Sequence, residues 1–115
     1  MLLVEDDPVT AEVFARAFAQ EGLQVRVARD GNQAMHALRD RLPDILVLDL
    51  GLPTLPGIDV LTRLRSAGHD SIPVLVVSGT PPGATAVRED MLRPGAWILK
   101  PVRPGDLVAA ARSLL

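Results

Sequence analysis

The sequence predicts an α/β fold: a five-stranded parallel sheet, doubly wound, with helices on both faces in three layers. Five short apolar runs alternate with helix-like segments, the pattern of right-handed β-α-β crossovers. Two of the runs, Ile45-Leu46-Val47-Leu48 and Val74-Leu75-Val76-Val77, are unbroken, as strands buried on both faces are. Each is bounded by turn residues rather than extended into a helix-length stretch.

Leu2-Leu3-Val4 is the first strand, short because the chain starts at Met1, and a native chain that begins earlier is expected. Glu5-Asp6-Asp7-Pro8 ends it. Pro8 suits a helix N-terminus, and the carboxylates before it suit the positive end of the helix dipole. A first helix is expected to Gln20, with Val13, Phe14, Ala17 and Phe18 at helical spacing and Gly22 as its stop. Val25-Arg26-Val27-Ala28 alternates and reads as a strand with one face less buried, at an edge of the sheet. Asp30-Gly31 is turn chemistry. A second helix follows from Gln33 to Arg41, with Ala34, Ala37, Leu38 and Leu42 on one side. Pro43-Asp44 breaks it and feeds the strand that ends at Asp49.

Ile58, Val60, Leu61 and Leu64 mark a third helix that stops near Gly68. Ile72 to Val77 is the fourth strand and ends at Ser78-Gly79. The pattern then weakens: Thr80-Pro81-Pro82-Gly83 is a loop, and Ala84 to Leu92 is expected to be the loosest helix, anchored only by Val87, Met91 and Leu92. Trp97-Ile98-Leu99 is the fifth strand, ending at Lys100-Pro101. Leu107, Ala110, Ala111 and Leu114 define a last helix from Asp106 to Leu115. Strands 1, 3 and 4 are the most apolar, which suits central positions in the flavodoxin-like order 2-1-3-4-5.

The chain has 115 residues, enough for one domain and too few for two, so residues 1–115 are expected to form a single unit. It is 48% hydrophobic and 23% charged, with a net charge of −2 and no basic run, so nothing points to direct contact with nucleic acid or an anionic membrane. No apolar run approaches the ~18 residues of a membrane span and no signal peptide is present, so a cytoplasmic setting is expected. The absence of cysteine excludes disulfides, thiolate catalysis and cysteine–zinc sites. His36 and His69 lie too far apart in sequence to suggest a histidine-built metal site. With only Phe14, Phe18 and Trp97 as aromatics, the core must be aliphatic.

In an open parallel sheet, ligands bind at the carboxyl ends of the strands. Strand 1 brings Glu5 and Asp6 to that edge, strand 3 Asp49, strand 4 Ser78 and strand 5 Lys100. Clustered carboxylates raise one another's pKa, and a hard divalent cation offsets that repulsion. Mg2+ takes a few oxygen ligands and completes its shell with water and phosphate. Lys100 supplies a fixed positive charge for a phosphate and Ser78 a hydroxyl donor. An aspartate with a metal, a lysine and a hydroxyl beside it can act as a nucleophile toward phosphorus.

Four motifs in order, Leu3-Val4-Glu5-Asp6-Asp7, Asp49-Leu50-Gly51-Leu52-Pro53, Val76-Val77-Ser78-Gly79 and Leu99-Lys100-Pro101, resemble the receiver domain of two-component response regulators. The resemblance covers essentially the whole chain. It implies that Asp49 accepts a phosphoryl group from a phosphohistidine on a sensor histidine kinase or histidine phosphotransfer protein. It implies Mg2+ as cofactor, bound by Asp49 and Asp6, by Glu5 directly or through water, and by the Gly51 backbone carbonyl. Lys100 would pair with Asp49 and then with the phosphoryl group, through a cis Lys100–Pro101 bond, against an ordinary X-Pro prior of ~5%. Ser78 would swing toward the phosphoryl oxygens and transmit the signal, with Trp97 in the place of the family's switch aromatic. Trp97 could equally serve packing alone. The resemblance implies a signalling module rather than an enzyme with an external substrate: it would catalyse only its own phosphotransfer and a slow self-dephosphorylation. Gly51 and Thr80 occupy the positions that position the attacking water, and Gly51 has no side chain to do so.

The departures from the family pattern are Leu52 in place of a common Met, Gly79 in place of Ala, Trp97 in place of Phe or Tyr, and a Gly95-Ala96 pair directly before Trp97. The last predicts a differently built loop ahead of strand 5. A metal-dependent phosphoesterase or Toprim-like nuclease also places acids at strand ends, but this chain has no Asp-x-Asp pair. A degenerate receiver that only binds protein would not need the acids, Ser78 and Lys100 together. Helix 4, strand 5 and helix 5 form the expected surface for a second copy or an output domain. The sequence leaves open whether the chain stands alone, comes from a hybrid kinase or fronts a transcription factor.

Overall fold

The computed structural model describes residues 1–115. The strands are β1 (Leu2–Val4), β2 (Arg26–Ala28), β3 (Leu46–Asp49), β4 (Val74–Ser78) and β5 (Gly95–Leu99). The helices are α1 (Pro8–Gln20), α2 (Gly31–Asp40), α3 (Gly57–Ser66), α4 (Glu89–Leu92) and α5 (Pro104–Leu114), with a single 3-10 turn at Pro82–Ala84. The sheet is parallel throughout, in the order β2-β1-β3-β4-β5, as the apolar pattern predicted. The order reverses between β1 and β3, so the crevice where such sheets bind ligands opens beside the ends of those two strands.

Strand periodicity divides the core into two layers. Leu2, Val4, Leu46, Leu48, Val74 and Val76 face α2 and α3, where Ala34, Leu38, Val60, Leu61 and Leu64 meet them, with Met91 of α4 beside them. Leu3, Val47, Leu75 and Val77 face the other way, against Phe14 and Phe18 of α1 and Leu107, Val108 and Ala111 of α5. Every residue of β1, β3 and β4 is buried, whereas β2 and β5 are not fully covered. That is the placing expected of central and edge strands.

Local chemistry sets the helix starts. Asp7 caps α1 by accepting from the Thr10 N–H (3.0 Å), with Pro8 in the first turn, and Asp30 caps α2 by accepting from the Gln33 N–H (2.8 Å). Gly57 opens α3 against the strand that carries Asp49. A Cβ there would lie 2.6 Å from the Asp49 carbonyl oxygen, so only glycine lets the helix close on the end of β3.

Four expectations change. The helix predicted from Ala84 to Leu92 survives only as α4, four residues long. Thr85 turns its hydroxyl to the Pro82 carbonyl (2.8 Å) and accepts from the Val87 N–H (3.3 Å), local bonds that compete with a helical ladder. No side chain caps the segment either. Val13, predicted on the buried stripe of α1, is 45% exposed, and Leu42 lies beyond α2 and is 44% exposed. The pair Gly95-Ala96, read as part of the approach to strand 5, belongs to β5 itself. A Cβ at Gly95 would lie 2.2 Å from the carbonyl oxygens of both Leu92 and Val74, so the close approach of three chains there demands glycine.

Candidate functional site

The carboxyl ends of β1, β3, β4 and β5 surround a cavity of about 500 Å3 lined by Asp6, Asp49, Gly51, Ser78, Thr80, Thr85 and Lys100, among others. Asp49 is the last residue of β3 and is only 7% exposed. Its Oδ1 accepts from the Gly51 N–H at 3.0 Å and its Oδ2 from the Lys100 ammonium at 3.1 Å. Glu5 follows β1 and is buried. Its Oε2 accepts from the Asp7 N–H at 3.1 Å, and its Oε1 lies 3.6 Å from Lys100 Nζ. Asp6 is exposed at the mouth. Carboxylate oxygens of Glu5, Asp6 and Asp49 all lie within 4.8 Å of one another.

The electrostatics follow from this crowding. Burial, and then the neighbouring Asp49 charge, push the Glu5 carboxyl up to about 7, against the opposing pull of the Asp7 N–H and Lys100. Burial works against the Lys100 ammonium, but its contact with Asp49, and then Glu5, holds its pKa above the ordinary lysine value. Two acids thus share one ammonium, and a third acid stands beside them. Such a donor set fits a hard divalent cation.

Ser78 ends β4 and is buried, and its Oγ accepts from the Thr80 N–H at 3.1 Å. Trp97 lies on β5 outside the cavity, packed against the core that α2, α3 and α4 cover. Its indole Nε1–H donates to the Thr80 carbonyl at 3.1 Å, which ties β5 to the loop that follows Ser78. The packing role weighed for Trp97 is therefore present. The Lys100–Pro101 peptide is cis, as expected, and Arg93–Pro94 is a second cis bond that the sequence did not suggest. Asp7 stays outside the cluster as the α1 cap.

The family model described as the response regulator receiver domain matches residues 1–112. The chain belongs to the response regulator receiver domains. This receiver domain is 36% identical over 117 residues to the DNA-binding response regulator MtrA of Mycolicibacterium smegmatis, with all of the chain and 50% of MtrA aligned. It is also 36% identical over 121 residues to the probable transcriptional regulatory protein TcrX of Mycobacterium tuberculosis, with all of the chain and 49% of TcrX aligned. The chain therefore spans about half the length of the curated relatives it matches. Among solved structures, the receiver domain of NtrX from Brucella abortus superposes with a TM-score of 0.84 at 30% identity, covering 99% of this chain and 96% of that one. The chemotaxis response regulator CheY4 of Vibrio cholerae gives a TM-score of 0.88 at 22% identity, covering 99% and 96%, and shares the fold. The strand order 2-1-3-4-5 is the flavodoxin-like order for which a chemotaxis regulator is a standard example. Receiver domains serve two-component systems, in which sensor kinases phosphorylate them, and the family generally binds Mg2+ at an acidic pocket.

Strand-end reasoning found Glu5, Asp6, Asp49, Ser78 and Lys100 and missed two residues. Thr85 lines the cavity from a segment with no readable pattern. Arg29, just past β2, donates from Nη2 to the Asp6 carbonyl at 2.9 Å. The same rule applied to β2 would have reached Arg29.

Proposed function

We propose that Asp49 is the phosphoryl acceptor of this receiver domain and that Lys100, Ser78, Glu5 and Asp6 serve the transfer. The observation that carries this reading is the buried Asp49 carboxylate, held 3.1 Å from Lys100 Nζ at the floor of the shared cavity. An Asp49 oxygen forms the new bond to phosphorus while the bond from phosphorus to the donor's histidine nitrogen breaks, and that nitrogen leaves with the electron pair. Glu5, Asp6, Asp49 and the Gly51 carbonyl would hold Mg2+, which when bound offsets the carboxylate repulsion and draws charge from the phosphoryl oxygens. Lys100 neutralises Asp49 before transfer and is placed to follow charge onto the phosphoryl group afterward. The Ser78 hydroxyl can exchange its bond with the Thr80 N–H for one to a phosphoryl oxygen, and Trp97, bonded to the Thr80 carbonyl, is placed to register that exchange.

The domain is a signalling module with no external substrate. The phosphate source is a sensor histidine kinase or a histidine phosphotransfer protein in the cytoplasm. The face of α4, β5 and α5 meets a second copy or an output domain. Incubation with Mg2+ and acetyl phosphate should add one phosphoryl group by intact mass, and Asp49→Ala should remove it. An adduct that persists in Asp49→Ala overturns the assignment. Self-dephosphorylation should be slow because Gly51 carries no side chain to position water. The nearest atom to a Cβ placed there is Asp49 Oδ1 at 3.7 Å, so a side chain fits. Gly51→Asn should shorten the phosphoryl lifetime, and a longer or equal lifetime would remove this role.

A further inference from the structure

Resting on the metal-binding reading above, we propose that Arg29 is a positioning residue for the metal site and sets the divalent-cation affinity by fixing the backbone that presents Asp6. The three acids are held in different ways. Glu5 is fixed by the Asp7 N–H and by Lys100, and Asp49 by the Gly51 N–H and Lys100. The exposed Asp6 carboxylate meets no cationic or backbone donor, only the neighbouring Glu5 carboxyl, so its place depends chiefly on its backbone. That backbone is tied by one side chain: Arg29 reaches over from the end of β2 and donates Nη2–H to the Asp6 carbonyl at 2.9 Å.

Arg29 is itself prearranged. Its own N–H donates to Gln33 Oε1 at 2.8 Å, and the neighbouring Ala28 carbonyl accepts from the Glu5 N–H at 3.0 Å, so β2 and the acidic turn move as one piece. Arg29 Nε is buried without a partner. The Asp6 carbonyl is thus the one acceptor the guanidinium meets. Groups that hold a metal ligand from behind commonly change metal affinity 10–100-fold when removed.

The sign of the effect separates positioning from simple charge. Deleting a cation beside three carboxylates should tighten divalent binding by electrostatics alone. Loss of positioning should weaken it. Titration calorimetry of Mg2+ into the wild type, Arg29→Ala, Arg29→Gln and Arg29→Lys reads this directly. Arg29→Ala is expected to bind Mg2+ about tenfold more weakly. Arg29→Gln, too short to reach the carbonyl, should follow it and carries the same comparison if Arg29→Ala does not fold. Arg29→Lys, which keeps a long donor, should stay near the wild type. The rate of phosphoryl uptake from acetyl phosphate should fall in Arg29→Ala at low Mg2+ and recover at saturating Mg2+. Equal or tighter Mg2+ binding in the folded Ala or Gln variant, or a rate that stays low at saturation, overturns the proposal. A wild type that binds no Mg2+ would instead overturn the metal reading on which it rests.

Discussion

Helices α3 and α4 flank β4 at its two ends of organisation, and they could hardly be held more differently. α3 is ten residues long and buries Gly57, Val60, Leu61 and Leu64 against the sheet, with its first turn closed on the backbone of Asp49. α4 is four residues long and buries only Met91, and the chain before it from Thr80 to Arg88 is held mainly by local turns. The strands beside them follow suit: β3 is buried throughout, and no residue of β5 is. Segments with few buried apolar contacts open at the lowest free-energy cost. The floor that carries Asp49 is therefore the well-packed part, and the wall proposed to register a change there is the part that opens most cheaply.

The largest test of that contrast is a pair of core truncations. Leu61→Ala should cost about 3 kcal/mol of stability by urea unfolding. Met91→Ala should cost about 1–2 kcal/mol, because a short, thinly packed helix can collapse onto the space. Equal costs would erase the difference between the two regions. Next is the boundary of the loose region. Arg65 of α3 donates to four carbonyls, those of Met91, His69, Ile72 and Pro94, at 2.7–3.2 Å, and Gly95 sits beside them in close backbone contact. The start of β5 is thus rigid even though its far end is not. Gly95→Ala should cost about 2–3 kcal/mol through overpacking. A neutral substitution would extend the looseness across the whole strand.

The well-packed region gives up stability for the charge it buries. The folded state holds Glu5 at about 7, above an ordinary glutamate, so between roughly pH 4.5 and pH 7 the native protein binds more protons than the unfolded chain. Stability then falls as pH rises through that window. Without metal, Glu5→Gln should be more stable than the wild type by about 1–2 kcal/mol at pH 8, with the gap closing toward pH 5. Saturating Mg2+ should narrow it at pH 8 by stabilising the wild type, with its full set of acids, more than the variant. A gap that widens toward low pH would reverse the assignment. The smallest effect is expected at the edge of the loose wall. Trp97→Phe keeps most of the packing and loses one partly exposed hydrogen bond, for about 0.5–1 kcal/mol.

The same contrast explains what was legible in the sequence. Buried strands announce themselves as apolar runs, so β1, β3 and β4, and with them Glu5, Asp6, Asp49 and Ser78, were placed from pattern alone. α4 was not, because its length is decided by Thr85 and by missing caps rather than by periodicity. Val13 illustrates a different limit: an apolar residue at helical spacing lies on whichever face the neighbouring helices leave open. Gly95 was readable as a departure, but its reason, the contact with Leu92 and Val74, is tertiary. Arg29 was reachable by its position at the end of β2, but its role was not, because its partner, the Asp6 carbonyl, is set by the tertiary fold.

The bond from Trp97 to the Thr80 carbonyl has a practical consequence. The chain holds one tryptophan and no tyrosine, so its near-ultraviolet absorption and emission belong almost wholly to that indole. The chromophore is anchored to the backbone two residues beyond Ser78, on the wall of the cavity that holds Asp49. The protein thus carries its own optical label, native and single, at the point where the fixed and yielding halves of the molecule meet.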